Sequence, residues 1–206
     1  REVMLAVKEL SAKMNSAWTG VRPKPIPVMP EIVNYSDMLA EYTIRTLIPL
    51  GIGCEDIRTA CIDLADNYSL LISGSVHSGK TQKLMQQKFQ DTKVFVFDSS
   101  AKLLQRMQTS AHKYGVVDDD AAMTHMLEEL VGYLNDRKKA QNQARQIEGD
   151  GFSEKAFIAN YEMLCIVIDD LKDFVDKVSD ANKNAMERIC RMAQDLGVVV
   201  LCSGRM

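Results

Sequence analysis

A three-layer α/β sandwich built on a mostly parallel sheet is the fold class that this sequence predicts. Short apolar runs at residues 69–73, 93–98, 163–168 and 198–202 read as strands buried on both faces. Segments with helical apolar spacing separate them, which is the alternation of an α/β domain. The first run also leads into Gly74-Ser75-Val76-His77-Ser78-Gly79-Lys80-Thr81, a Gly-x4-Gly-Lys-Thr pattern of the kind placed at C-terminal strand ends in such sheets.

The 206 residues are 46% apolar and 26% charged, enough for one sizeable core under an ordinary polar surface. A net charge of −3 gives no sign of a nucleic-acid surface. The five cysteines, Cys54, Cys61, Cys165, Cys190 and Cys202, lack Cys-x-x-Cys spacing and read as reduced thiols rather than a zinc or disulfide framework. No run is long enough to span a membrane, and no signal peptide is visible. The chain opens on Arg1 and stops just after an apolar strand, which reads as a piece of something larger.

In chain order, Val3, Val7, Leu10, Met14 and Trp18 recur at helical spacing and predict a first helix with one buried stripe. Four of the five prolines fall within residues 21–30, an extended connector, so residues 1–35 form a leader and 36–206 the compact unit. Ser36 is placed to cap a short helix through Tyr42, and residues 47–53 and 58–64 read as strands before the glycine loop. A helix follows Thr81 to about Gln90, then the strand ending at Asp98, then a helix carrying Leu103, Leu104 and Met107, capped by Ser99 or Ser100. Asp118, Asp119 and Asp120 open a long helix with Met123, Met126, Leu127, Leu130 and Leu134 on one face. Its tail, residues 135–146, is polar all round and is expected to project into solvent. After a glycine turn at 148–152 and the strand ending in Asp169-Asp170, Asp180 opens a helix with Ala185, Ile189, Met192 and Leu196 inward, and Gly197 leads into the last strand.

The glycine loop carries the chemistry. Gly74 and Gly79 let backbone N–H groups turn around phosphate oxygens, so residues 74–81 form a candidate ATP phosphate cradle, with Lys80 reaching the outer phosphates. Thr81 would offer its hydroxyl to Mg2+ at a helix start. A polar Gly/Ser turn is the bland alternative. The run ending in Asp169-Asp170 is a Walker B pattern in which Asp169 serves the Mg2+ shell and Asp170 stands where a hydrolytic enzyme orients water. Taken alone, an Asp-Asp pair after a strand also reads as a helix cap.

These parts, in this order, resemble the FtsK/SpoIIIE class of P-loop motor ATPases, of RecA/FtsK-like fold. Within that class they are most similar to the C-terminal ATPase domain of the EssC/EccC membrane ATPase of type VII secretion. The likeness rests on Ile48-Pro49-Leu50-Gly51-Ile52, Ile62-Asp63-Leu64, residues 70–81, 166–171 and 197–205. It implies ATP and Mg2+ as ligands. It also implies partner ATPase domains on the same chain, secreted proteins or their helical carriers as substrates, a homo-oligomer in the full assembly, and a place on the cytoplasmic face of the membrane, with anchors outside this segment. Hydrolytic members carry Asp-Glu where this chain has Asp169-Asp170, and often Thr-Gln-Arg where it has Ser203-Gly204-Arg205. A shorter carboxylate and a missing amide predict slow hydrolysis or weak ATP binding, or a nucleotide-free platform for protein recognition; a DNA-translocase motor domain of the same fold is the remaining alternative, disfavoured by the acidic charge balance.

Overall fold

The computed structural model of the chain describes residues 2–20, 28–41, 47–64, 66–85, 92–109 and 111–205. Strands β1 (Leu47–Ile52) and β2 (Thr59–Asp63) pair antiparallel as a separate hairpin. Strands β3 (Ser69–Ser73), β4 (Thr92–Asp98), β5 (His112–Val116), β6 (Met163–Asp169) and β7 (Val198–Gly204) form one sheet in the order β3-β7-β6-β4-β5. Every pairing in it is parallel. All strand C-termini therefore share one rim, and residues 74–81, 99–104, 170 and 205 meet there.

The sheet is covered on both faces because its central strands carry continuous apolar runs, 94–97, 163–168 and 198–202, rather than alternating ones. Phe95, Phe97, Leu164, Ile166, Ile168, Val198 and Val200 face one core. Helix α4 (Asp120–Glu148) brings Met123, Leu127, Leu130 and Leu134 to it. Helices α6 (Leu171–Lys177) and α7 (Asp180–Ala193) add Phe174, Met186 and Ile189, with Ala185, Met192 and Leu196 inward as the periodicity requires. The intervening residues Val94, Val96, Cys165, Val167, Val199 and Leu201 face a second core closed by Leu84 of α3 (Lys80–Met85) and by Ile48 and Leu64 of the hairpin region. Among the described residues no helix is long and apolar enough to cross a membrane.

Several elements differ from expectation. Helix α1 (Glu2–Ala17) forms, yet Val3, Val7, Leu10, Met14 and Trp18 are 59–76% exposed, so the expected buried stripe is not buried. The helical spacing of the apolar residues marks the helix, whereas burial of the stripe needs a facing surface, which the described residues do not provide. Helix α2 (Tyr35–Glu41) starts before Ser36; Asn34 precedes it and donates to Asp37 at 3.1 Å. Most of the proline connector, Tyr42, and the helix beyond Met85 lie outside the described residues.

The helix expected after Asp98 is only a 3-10 turn at Gln105–Met107. Asp98 captures Leu104 N at 2.9 Å and Lys102 takes a φ of 54°, so side chain and backbone spend the segment on a loop. Strand β5, helix α6 and the short α5 (Glu154–Ala159) are unanticipated.

The largest correction concerns the tail of α4. Its Arg137 and Gln141 are 6% and 4% exposed rather than solvated. Arg137 donates to Leu196 O at 2.8 Å and to Glu162 O, and Gln141 donates to Asp195 O at 2.9 Å. These polar side chains tie down the carbonyls at the approaches to β6 and β7, in a buried bond at Leu196 and partly buried ones at Glu162 and Asp195.

Candidate functional site

At the C-terminal rim the loop after β3 folds back over its own start. Gly79 has a φ of +87° and His77 of +62°, left-handed conformations that turn the backbone between Gly74 and Lys80. A Cβ on Gly74 would stand 2.7 Å from Ser78 Oγ, so a side chain there would force the Ser78 hydroxyl to move. His77 is exposed. Lys80, first residue of α3, donates its Nζ to Gly74 O at 2.9 Å and Ser75 O at 2.8 Å, which holds an ammonium inside the turn without a carboxylate.

Sheet order brings the distant parts together. Because β7 lies between β3 and β6, the ends of all three strands are adjacent. Thr81 donates its hydroxyl to Asp169 Oδ2 at 3.0 Å, across 88 residues of sequence. Ser203 donates to the other oxygen, Oδ1, and both Asp169 and Ser203 are almost wholly buried. The Asp169–Asp170 peptide is cis.

Asp170 has two engagements. Its Oδ1 accepts from Lys172 N at 2.8 Å and caps α6, and its Oδ2 lies 3.7 Å from Arg205 Nε. The capping role weighed for this pair therefore belongs to Asp170, while Asp169 faces the loop hydroxyl. These groups line a cleft of about 450 Å³, bounded by residues 76–82, by Ser99, Ala101 and Leu103, and by Asp169, Asp170, Asp173 and Arg205. Of the residues singled out from the sequence, Val76, His77, Ser78, Gly79, Lys80, Thr81, Asp169 and Asp170 line it; Gly74 and Ser75 lie behind it and offer their carbonyls to Lys80.

The far wall is anchored from below. Asp98, fully buried at the end of β4, pairs in register with Asp169 and accepts from Tyr114 Oη at 2.6 Å as well as from Leu104 N. Burial pushes its carboxyl above the usual range, against the pull of those two donors, and the charge on Asp169 adds to the rise. Lys177 of α6 ties Ser100 to Asp173 and Asp118, and its bond to Asp173 leads in holding the ammonium above its ordinary value.

Ser203, Arg205 and Asp98 were missed as site residues. The sequence pattern drew attention to Gly204 instead, but a Cβ there would face Leu71 Cδ1 at 3.6 Å, and Gly204 does not border the cleft. The strand's period of two was the available signal: with Ser203 turned to Asp169, Arg205 takes the same side and position 204 the other.

No protein-family profile and no curated protein matches the chain. Solved structures do. EssC (ATPases 2 and 3) from Geobacillus thermodenitrificans superposes with a TM-score of 0.73 at 19% identity, over 96% of this chain and 36% of that one. EccC (ATPases 2 and 3) from Thermomonospora curvata, in complex with a signal sequence peptide, gives 0.59 at 18%, over 94% and 35%. The pCW3 conjugation coupling protein TcpA, in its monomer form with ATPgS, gives 0.52 at 17%, over 79% and 49%. This chain thus has the FtsK-like P-loop ATPase fold, and it spans between a third and a half of the length of these three chains.

Proposed function

We propose that the chain is an ATP-binding, ATPase-like domain of a type VII secretion motor, weak in hydrolysis, that works beside further ATPase domains of a longer polypeptide. The observation that carries this reading is the Thr81–Asp169 hydrogen bond beside Lys80, which joins the loop and the Walker B type strand in one cleft. The residues fit MgATP. Residues 74–81 would cradle the phosphates with backbone N–H groups and Lys80, and Thr81 and Asp169 offer the hard oxygen ligands that Mg2+ prefers. Among the described residues no cluster of three or more His, Cys, Asp or Glu could hold a metal by itself, so the ion would take its other ligands from phosphate and water. ATP with Mg2+ supplies a phosphoryl group activated for transfer. This chain's own residues bind and orient it, and Ser203 fixes the Asp169 carboxylate.

Slow turnover follows from Asp170. Its carboxylate is one methylene shorter than a glutamate and one of its oxygens is held by the α6 cap, so it is poorly placed to orient water. A second reading is a nucleotide-free recognition platform, in which Lys80 keeps the Gly74 and Ser75 carbonyls as its partners. In either case the ligands would be secreted proteins or their helical carriers. The membrane would be reached through the parent chain at its cytoplasmic face, with a homo-oligomer in the full assembly and no nucleic acid. Calorimetric titration with MgATP, beside a Lys80→Ala variant, separates the two readings.

A further inference from the structure

Alternate residues at the end of β7 meet successive carboxylates at the end of β6. Ser203 donates to Asp169, Arg205 faces Asp170, and the position between them is turned toward Leu71. Asp169 is held from both sides, by Thr81 and by Ser203. The Arg205 pair differs in kind: Nε stands 3.7 Å from Asp170 Oδ2, and the Arg205 side chain is 63% exposed. A pair this long and open contributes little, so a better acceptor displaces it at small cost. A phosphate is such an acceptor, because the planar guanidinium offers a fork of N–H donors that matches its oxygens. Arg205 borders the same cleft as Lys80, but from the side of Asp170 rather than from the loop.

From this arrangement we infer that Arg205 reads the outermost phosphate of a nucleoside triphosphate, exchanging Asp170 for it, and so sets a preference for triphosphate over diphosphate. The inference rests on the nucleotide-binding reading proposed above. Lys80 and the loop backbone serve both nucleotides, whereas Arg205 serves the one with the longer phosphate chain. The exchange also uncovers Asp170 Oδ2, the oxygen that the helix cap leaves free.

The test is calorimetric titration of MgATP and MgADP into the parent protein and into Arg205→Ala, Arg205→Lys and Asp170→Asn. Arg205→Ala is expected to lose about tenfold in MgATP affinity, equivalent to 1.4 kcal/mol, with MgADP affinity as the internal reference. Arg205→Lys, which keeps the charge without the fork, recovers only part of the loss. Asp170→Asn removes the competing partner and strengthens MgATP binding when Arg205 is present, but not in the double variant. Equal weakening of both nucleotides by Arg205→Ala, or of neither, overturns the inference and leaves nucleotide binding standing. A parent protein that binds neither nucleotide removes the premise and the inference together.

Discussion

Arg137→Met tests the buried end of α4, where structure and periodicity disagree most. Methionine keeps an unbranched stem of similar reach but removes every donor, so packing is largely preserved and the hydrogen bonds are lost. Two charge-assisted bonds, to Leu196 O and Glu162 O, disappear, at about 1.5–3 kcal/mol each. Burial of the guanidinium offsets part of that, since it pulls the arginine below its usual pKa, and the ring of Tyr161 at 5.3 Å returns some. A net loss of about 2–3 kcal/mol follows, because the Leu196 carbonyl loses this donor in a buried place and the Glu162 carbonyl loses it in a partly buried one. For a domain of this size that corresponds to a fall in melting temperature of roughly 4–12 °C. Arg137→Lys should lie between, as one ammonium cannot span both carbonyls with a planar fork. Urea unfolding and thermal melts read the effect directly. A variant within about 0.5 kcal/mol of the parent would place Arg137 among ordinary solvated surface residues and refute the reasoning.

Asp98→Asn should change how stability depends on pH. The folded-state pKa of Asp98 is raised, so its favourable contribution is complete below the unfolded value of about 4 and is lost as pH rises through the folded value. The parent should therefore lose stability relative to Asp98→Asn as pH rises above about 4; a gap in urea midpoints that stays constant or moves the other way contradicts this. Asp170→Glu should raise phosphate release about tenfold or more, since the added methylene carries the carboxylate off the cap toward the cleft. The same change should lower the melting temperature by weakening the α6 cap. A lower melting temperature with unchanged turnover would place the hydrolytic limit elsewhere, for example in a neighbouring subunit.

The parts of the fold legible in the sequence were those with local signals. Residues 163–168 and 198–202 are apolar throughout because β6 and β7 are buried on both faces, and the Gly-x4-Gly-Lys-Thr spacing is itself the geometry of the loop. Asp119 capping α4 through Ala122 N and Gly197 in left-handed conformation after α7 follow from terminal chemistry that short windows contain. Strand β5 escaped because His112-Lys113-Tyr114-Gly115-Val116 is polar and holds a glycine. That glycine lies under the ends of the Met123 and Met126 side chains, a tertiary fact. Arg137 and Gln141 escaped because their acceptors lie 25 to 59 residues away. At the site, Lys80, Thr81 and Asp169 were legible from motif spacing. Ser203 and Arg205 needed the strand order that sets β7 beside β6.

The central claim is that the cleft between residues 74–81 and Asp169 holds MgATP, and calorimetric titration of the parent protein and Lys80→Ala tests it most directly. Removing one ammonium that contacts phosphate is expected to weaken binding by at least about tenfold, given the 1.5–3 kcal/mol that a charged hydrogen bond contributes. Saturable MgATP binding in the parent that is lost in Lys80→Ala agrees with the account. Equal affinity in the two proteins, or no binding by the parent, contradicts it.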